Sequence, residues 1–343
     1  MGKRRAPELY RAPFPLYTVK IDPQTGLIIT AGGGGASKTG IKNGMHFLSL
    51  DLVGGVHSAT LLHTHETDTR ATMCMSLGGD VIAAGQDANC SLMRFRAGDK
   101  SAPRKRGGKG QNGDGGGDVA QMKEDSPQMV VGDVGAVQAD LSLQDPCVKC
   151  VRFSADLTLL LSGGADGFVR VWEVSFPSLK EKFSFRAHKD ELEDIDISPD
   201  NKHIVTVGRD FECSVWSGDQ LAVGLCWHEN MPQITEKMYR YKSCRQVVHF
   251  LTAATFHEKK LYYIQESHGI VVTDVTFLPD APKSKAVKGN NEVVMLSVAV
   301  DSRCQVHAIS NRRSFPLWLV LFFCGLMVVG VILLLQSLFP GFI

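Results

Sequence analysis

The sequence predicts an all-β propeller of repeated four-stranded blades with a single membrane helix near its C-terminal end. Two observations carry this reading: the middle of the chain repeats itself at an offset of 44 residues, and nineteen uncharged, mostly apolar residues lie close to the end. With 343 residues and a formal net charge of +1, the chain has room for one large domain plus appendages. No overall field steers it toward nucleic acid or acidic partners.

From the N-terminus, Phe14 to Leu52 reads as a first unit, and Met75 to Phe95 as a second that keeps Asp87 in its turn. The repeat is clearest between FSADLTLLLSGGADGFVRVW (Phe153 to Trp172) and ISPDNKHIVTVGRDFECSVW (Ile197 to Trp216), which align without a gap. Ser162 then matches Thr206, Asp166 matches Asp210 and Trp172 matches Trp216. A period near 44 is that of WD repeats, each building one propeller blade. Apolar and polar residues alternate along strand-length runs, and the Gly-Gly-Ala-Asp-Gly and Gly-Arg-Asp segments supply tight turns. His188 stands upstream of the second copy, where it can hydrogen-bond toward the turn aspartate. A catalytic triad of His188, Thr206 and Asp210 is the sharp reading. The plainer one is a structural polar network, with Ser162, Asp166, Trp172 and Trp216 in sibling roles. Further along, Met295 to Ile309 keeps Ser297 and Asp301 at the same separation.

Five blades are thus traceable, and a sixth is expected among Leu221 to Ile264. The segment 98–127 interrupts the pattern with Gly, Lys, Arg and Asp, and reads as a disordered surface loop. Its Pro103-Arg104-Lys105-Arg106 run is better explained as a solvated linker than as a nuclear-localisation patch. Without that loop, the apolar stretch and the tail, roughly 260 to 270 residues remain, enough for about six blades at ~40 to 45 residues each.

The apolar stretch, residues 317–335, approaches the ~20 residues that a helix needs to cross the hydrocarbon of a bilayer. It has no polar face, so a soluble core helix is the weaker reading. A basic juxtamembrane segment, 311–316, precedes it and a short tail, 336–343, follows. The positive-inside bias places residues 1–310 in the cytosol and the tail in the lumen. The basic N-terminus has no apolar run behind it, so no cleavable signal is expected. Nine cysteines without regular spacing fit a reducing compartment.

The first unit departs from its siblings. After Thr30 its turn expands into AGGGGASKTGIKNG, Ala31 to Gly44. Consecutive glycines Gly32, Gly33, Gly34 and Gly35 let the backbone reach positive φ and come close to a ligand. Ser37, Lys38, Thr39 and Asn43 add polar groups, and Ile41 adds one apolar contact. Gly32 to Thr39 nearly matches a phosphate-binding loop, but Ser37 replaces the required glycine and a strand, not a helix, should follow. A passive hairpin end is a second reading. A partner-engaging loop, ordered by a cation on its carbonyls, is the third. Cys147 and Cys150 have zinc-ligand spacing without a second pair nearby, and no nucleophile, base and oxyanion arrangement can be recognised.

The opening APELYRAPFPLY, the loop AGGGGASKTGIKNG, the strands HGIVVTDVTFLP and SVAVDSRCQ, and the end QSLFPGF resemble the vertebrate prolactin regulatory element-binding protein family. That resemblance implies a seven-bladed, single-pass endoplasmic-reticulum protein that exchanges guanine nucleotide on a Sar-family small GTPase and so starts COPII coat assembly and transport to the Golgi. It implies an exchange factor without covalent chemistry and no required cofactor. The loop Gly32 to Gly35 and Ser37 to Asn43, with Gly40 and Lys42 included, would act on the GDP-bound or nucleotide-free GTPase. Ile41 and Asn43 are the preferred contacts, and a potassium ion would sit on the carbonyls of Gly33, Gly34 and Gly35. One region departs from the family: only sixteen residues, RQVVHFLTAATFHEKK, separate Cys244 from Leu261, where more than a blade would be expected. Two alternatives are a promoter-DNA-binding regulator, disfavoured by near-neutral charge and the membrane stretch, and a propeller that only scaffolds coat proteins.

Overall fold

The structure, a computed structural model, describes residues 6–36, 40–97, 129–226, 229, 241–244, 267–311 and 317–338. Among these residues twenty strands form five antiparallel four-stranded sheets. The first strand, β1 (Glu8–Arg11), stands apart from its neighbours in sequence and pairs with the last strand of the chain. The first sheet is β2 (Leu16–Ile21), β3 (Ile28–Gly32), β4 (Gly44–Val53) and β5 (Val56–Glu66). The second is β6 (Thr72–Gly78), β7 (Val81–Gln86), β8 (Asn89–Ala97) and β9 (Met129–Gln138). Third come β10 (Val148–Phe153), β11 (Leu159–Gly164), β12 (Phe168–Ser175) and β13 (Ser178–Arg186). Fourth are β14 (Leu192–Ile197), β15 (His203–Gly208), β16 (Glu212–Ser217) and β17 (Gln220–Cys226). The fifth sheet runs β18 (Val272–Phe277), β19 (Asn291–Ala299), β20 (Arg303–Ser310) and then β1.

Each sheet is one blade. The central strands are buried on both faces because blades pack face to face, so β3 and β11 read as continuous buried runs and not as alternating ones. Residues of β19 and β20 join those of β2, β3 and β4 in one apolar core, which also holds Leu9 of β1. A strand from the N-terminus thus completes the last blade and ties the two ends of the domain together. The innermost strands β2, β6, β10, β14 and β18 line a central cavity of about 490 Å³, together with Lys242 and Ser243. Those two residues lie against β14, where Ser243 donates from Oγ to the Asp194 carboxylate and Lys242 pairs with Glu193.

Of the expected sixth unit, Leu221 to Cys226 form β17 and so complete the fourth blade. Most of the remainder of that unit lies outside the described residues, as does the loop 98–127.

Among the described residues two helices complete the architecture. A short helix, α1 (Pro282–Lys288), interrupts the fifth sheet between β18 and β19, with Pro282 at its start, where a missing N–H costs nothing. The second, α2 (Leu317–Leu338), has 22 residues, and its window Leu321–Leu338 has mean hydropathy 2.5 with no part buried against the propeller. At ~1.5 Å per residue it is about 33 Å long, enough to span a bilayer. Strand direction gives the domain two distinct ends. The β3–β4 connection lies at the loop end. The β2–β3 and β4–β5 turns, α1 and Asn311, where the last strand runs out toward α2, lie at the other, the exit end.

Candidate functional site

The loop between β3 and β4 grows out of a buried strand. Gly32 is the last residue of β3, and a side chain there would meet the Pro15 carbonyl oxygen at 1.9 Å. Gly33, at φ +144°, donates from its N–H to that same carbonyl at 3.0 Å, and a Cβ on it would lie 2.0 Å from Asn43 Oδ1. Both positions therefore require glycine for space, and Gly33 for its backbone as well.

Asn43 is 5% exposed. Its Oδ1 accepts from the Gly35 N–H at 2.8 Å, and its Nδ2 donates to the carbonyls of Gly35 at 3.1 Å and Asp68 at 2.9 Å. The Asn43 carbonyl accepts from the Thr67 N–H at 3.2 Å. One side chain thus clamps the start of the loop to its end and to the β5–β6 connection. The side chain is thus turned inward to hold the loop. Ile41 presents its side chain to solvent at 41% exposure, and beside it Lys42 pairs with Glu66 at 3.0 Å. Gly40 turns the chain at φ +76°. Ser37, Lys38 and Thr39 lie outside the described residues.

Below the loop, Tyr10 of β1 shares a 2.6 Å hydrogen bond with His46 Nδ1, and the His46 ring packs on Phe14 at 4.8 Å between centroids. Burial lowers the His46 pKa and raises that of Tyr10. The ring-closing strand is therefore wired to the base of the loop.

Among the described residues β4 follows the loop where a phosphate-binding loop would open a helix, which argues against the phosphate-binding reading. For potassium, neutral carbonyls are suitable ligands. The Gly35 carbonyl accepts an Asn43 amide hydrogen, so the amide already ties this carbonyl to the end of the loop.

The repeat residues sit elsewhere and form hydrogen-bonded relays. His188 bridges Asp210 through Nδ1 at 2.8 Å and Thr206 through Nε2 at 2.8 Å, and Trp216 Nε1 donates to Thr206 Oγ1 at 2.9 Å. In the third blade Trp172 Nε1 donates to Ser162 Oγ at 2.9 Å, and Asp166 pairs with Arg170. Every member is used within its blade, so the geometry is that of a structural network. The fifth blade joins Ser297 and Asp301, which the repeat template places, through two histidines that it does not: His268 reaches Asp301 through Nδ1 and Ser297 through Nε2, and His307 takes the tryptophan's place against Ser297 at 2.7 Å. The HG of HGIVV was the available signal for His268. Cys147 and Cys150 do not converge as ligands: Cys150 is buried, with its Sγ toward the Gly163 carbonyl, and burial raises both thiol pKa values.

The WD domain, G-beta repeat family matches residues 139–173 and 179–217. Over its whole length the chain is 43% identical to the guanine nucleotide-exchange factor SEC12 of Mus musculus and likewise to that of Rattus norvegicus, and both are covered completely. Sqt1 of Chaetomium thermophilum, a solved structure, superposes on 64% of this chain and 50% of its own at 15% identity with a TM-score of 0.43. The alignment with mouse SEC12 runs over 421 positions against 343 residues here, which leaves 78 positions of the relative without a counterpart.

Proposed function

The chain belongs to the SEC12 guanine nucleotide-exchange factor family, and from that premise we propose that it releases GDP from a Sar-family small GTPase at the endoplasmic reticulum, initiating COPII coat assembly. The full-length kinship carries this reading. The propeller faces the cytosol and α2 crosses the membrane once.

The β3–β4 loop is the element we assign to exchange. Exchange needs no covalent step. A surface that binds the GTPase better without nucleotide than with GDP lowers GDP affinity by the same factor, since the coupling is reciprocal. Ile41 supplies the exposed apolar contact and Lys42 a charge at its side. Asn43 and the glycines hold both in place, so little ordering entropy is lost on binding. Anchoring by α2 keeps the factor at the surface where the activated GTPase must dock, which raises the local concentration of each.

We place the shortfall of positions between Cys244 and Leu261, within the residues 227–271 that separate β17 from β18 in sequence; of these, Lys242 and Ser243 reach the central cavity.

The test is release of a fluorescent GDP analogue from a Sar-type GTPase, with the full chain in vesicles. Acceleration lost in Ile41→Ala, with the chain still floating with vesicles, is the expected result. No acceleration by the intact, inserted chain would sink the proposal.

A further inference from the structure

The way the chain leaves the propeller fixes which end meets the bilayer. Asn311 follows β20 and donates to the Asn290 carbonyl at 3.1 Å, placing it beside the end of α1. From there to Leu317 there are six chain steps, a reach of at most about 22 Å. The exit end is thus held close to any membrane that α2 crosses. The loop end is a strand length away, about 20 Å for the six residues of β2.

The residues at the exit end suit that position. Lys283 and Lys285 of α1 are exposed, and among the described residues neither makes an ion pair, whereas Lys288 pairs with Asp280 at 3.1 Å. Lys283 also borders the β2–β3 turn, 3.9 Å from where Gly26 would carry a Cβ. Beside α1 the β4–β5 hairpin ends in Val53-Gly54-Gly55-Val56. Both glycines are at positive φ, and the two valines are 72% and 67% exposed. A hairpin tip that faces water usually carries polar residues, and this one carries none. It is fixed to the helix by a hydrogen bond between His57 Nε2 and the Val287 carbonyl at 3.0 Å. Asp51 lies on the same end, so the charge is mixed over the wider face and basic at the helix.

We infer that the exit end is a membrane-contact face, in which Lys283 and Lys285 meet anionic phospholipid headgroups and Val53 and Val56 enter the interfacial layer. Cationic side chains around a small apolar tip are the recurring chemistry of such contacts. The consequence is orientation: the β3–β4 loop points away from the bilayer, and its GTPase is engaged from the aqueous side. The inference rests on α2 crossing a membrane and not on the identity of the GTPase.

The experiment is brief lysine acylation of the full chain in three settings, followed by peptide mass spectrometry. The settings are detergent, phosphatidylcholine vesicles, and vesicles that are one-third phosphatidylserine. Lys283 and Lys285 should react at least about threefold more slowly in the anionic vesicles than in detergent, and molar salt should reverse the protection because the attraction is screened. Lys42 and Lys189, 75% and 83% exposed at the loop end, should react equally in all three. Four results overturn the inference: equal reactivity of Lys283 and Lys42 in anionic vesicles, protection of Lys42 instead, equal protection of Lys283 and Lys285 in neutral vesicles, or salt-insensitive protection. A chain that does not float with vesicles overturns both the span and the contact face. Loss of GDP release with protection intact bears only on the exchange reading.

Discussion

Replacing Asn43 by alanine should disable the loop from within. The amide makes three hydrogen bonds, to the Gly35 N–H, the Gly35 carbonyl and the Asp68 carbonyl. Each is worth about 1 kcal/mol net where its partner stays buried, and less where water can replace it. A loss of about 2 kcal/mol shifts the balance between ordered and disordered loop roughly 30-fold, and the apparent activity of a site falls with the fraction of molecules that are competent. GDP release stimulated by Asn43→Ala should therefore drop about tenfold to 30-fold while the chain still unfolds cooperatively. Asn43→Asp should do no better: it keeps an acceptor for the Gly35 N–H but places a carboxylate against two carbonyls. Gly33→Ala pushes on the same amide, since its Cβ would sit 2.0 Å from Oδ1, so the double variant should lose little more than either single one. A stopped-flow release assay on the four proteins measures this. Full activity in Asn43→Ala, or strictly additive losses, would refute the clamp and return Asn43 to the role of an independent contact.

Acid should weaken the fold well above the carboxylate range. Burial lowers the pKa of His46, His63 and His307 from the ordinary 6.5, with the neighbouring histidines adding to the last two. A histidine held neutral when folded but free to protonate when unfolded contributes stability that is complete above 6.5 and is lost as the pH falls below it. Urea midpoints should fall between about pH 7.5 and about pH 5.5, and His46→Asn should flatten part of that slope. Removing residues 1–12 takes away β1 and the buried Leu9 and exposes the edge of β20. Stability should drop by at least about 3 kcal/mol in urea unfolding, whereas Tyr10→Phe, which loses only the hydrogen bond to His46, should cost about 1. His188→Ala leaves Thr206 and Asp210 short of a buried partner and should cost about 3 kcal/mol in the same assay without changing release per folded molecule.

The blades were legible because their signal is local and repeated: period-two strands, turn glycines and an aspartate, serine and tryptophan at fixed separations. Ring closure was not, since ELYR is four residues with little pattern and its partner β20 lies almost the whole chain away. The extended loop was visible from its length and glycines. The part played by Asn43 was hidden because the sequence shows an amide in a polar loop but not that Asp68, 25 residues on, offers it a carbonyl. His307 escaped for a related reason: it performs a tryptophan's hydrogen bond with a different ring, and only the shared partner Ser297 reveals it.

The relays also show what the first blade gave up to carry the loop. In the fourth blade a chain of hydrogen bonds runs from the Trp216 N–H through the Thr206 hydroxyl and His188 to Asp210, and in the fifth from His307 through Ser297 and His268 to Asp301. In four of the five blades the hydroxyl at that position faces a residue of the next strand in the same register: Ser162 with Arg170, Thr206 with Ser214, Ser297 with Gln305, and Thr30 with His46. Two residues beyond, where the third, fourth and fifth blades have tryptophan or histidine, the first blade has Leu48, which cannot donate. Thr30 Oγ1 is accordingly buried without a hydrogen-bond partner. A buried hydroxyl left unpaired costs about 1 to 3 kcal/mol, whereas its removal by an isosteric methyl is neutral or favourable. The same substitution should therefore have opposite signs in two blades. Thr30→Val should stabilise the chain by up to about 1 kcal/mol, and Thr206→Val, which strands both the Trp216 N–H and the His188 ring, should destabilise it by about 2. Paired urea midpoints decide the matter: equal losses at both sites would mean that the Thr30 hydroxyl has a partner after all and that the first blade never gave up its relay.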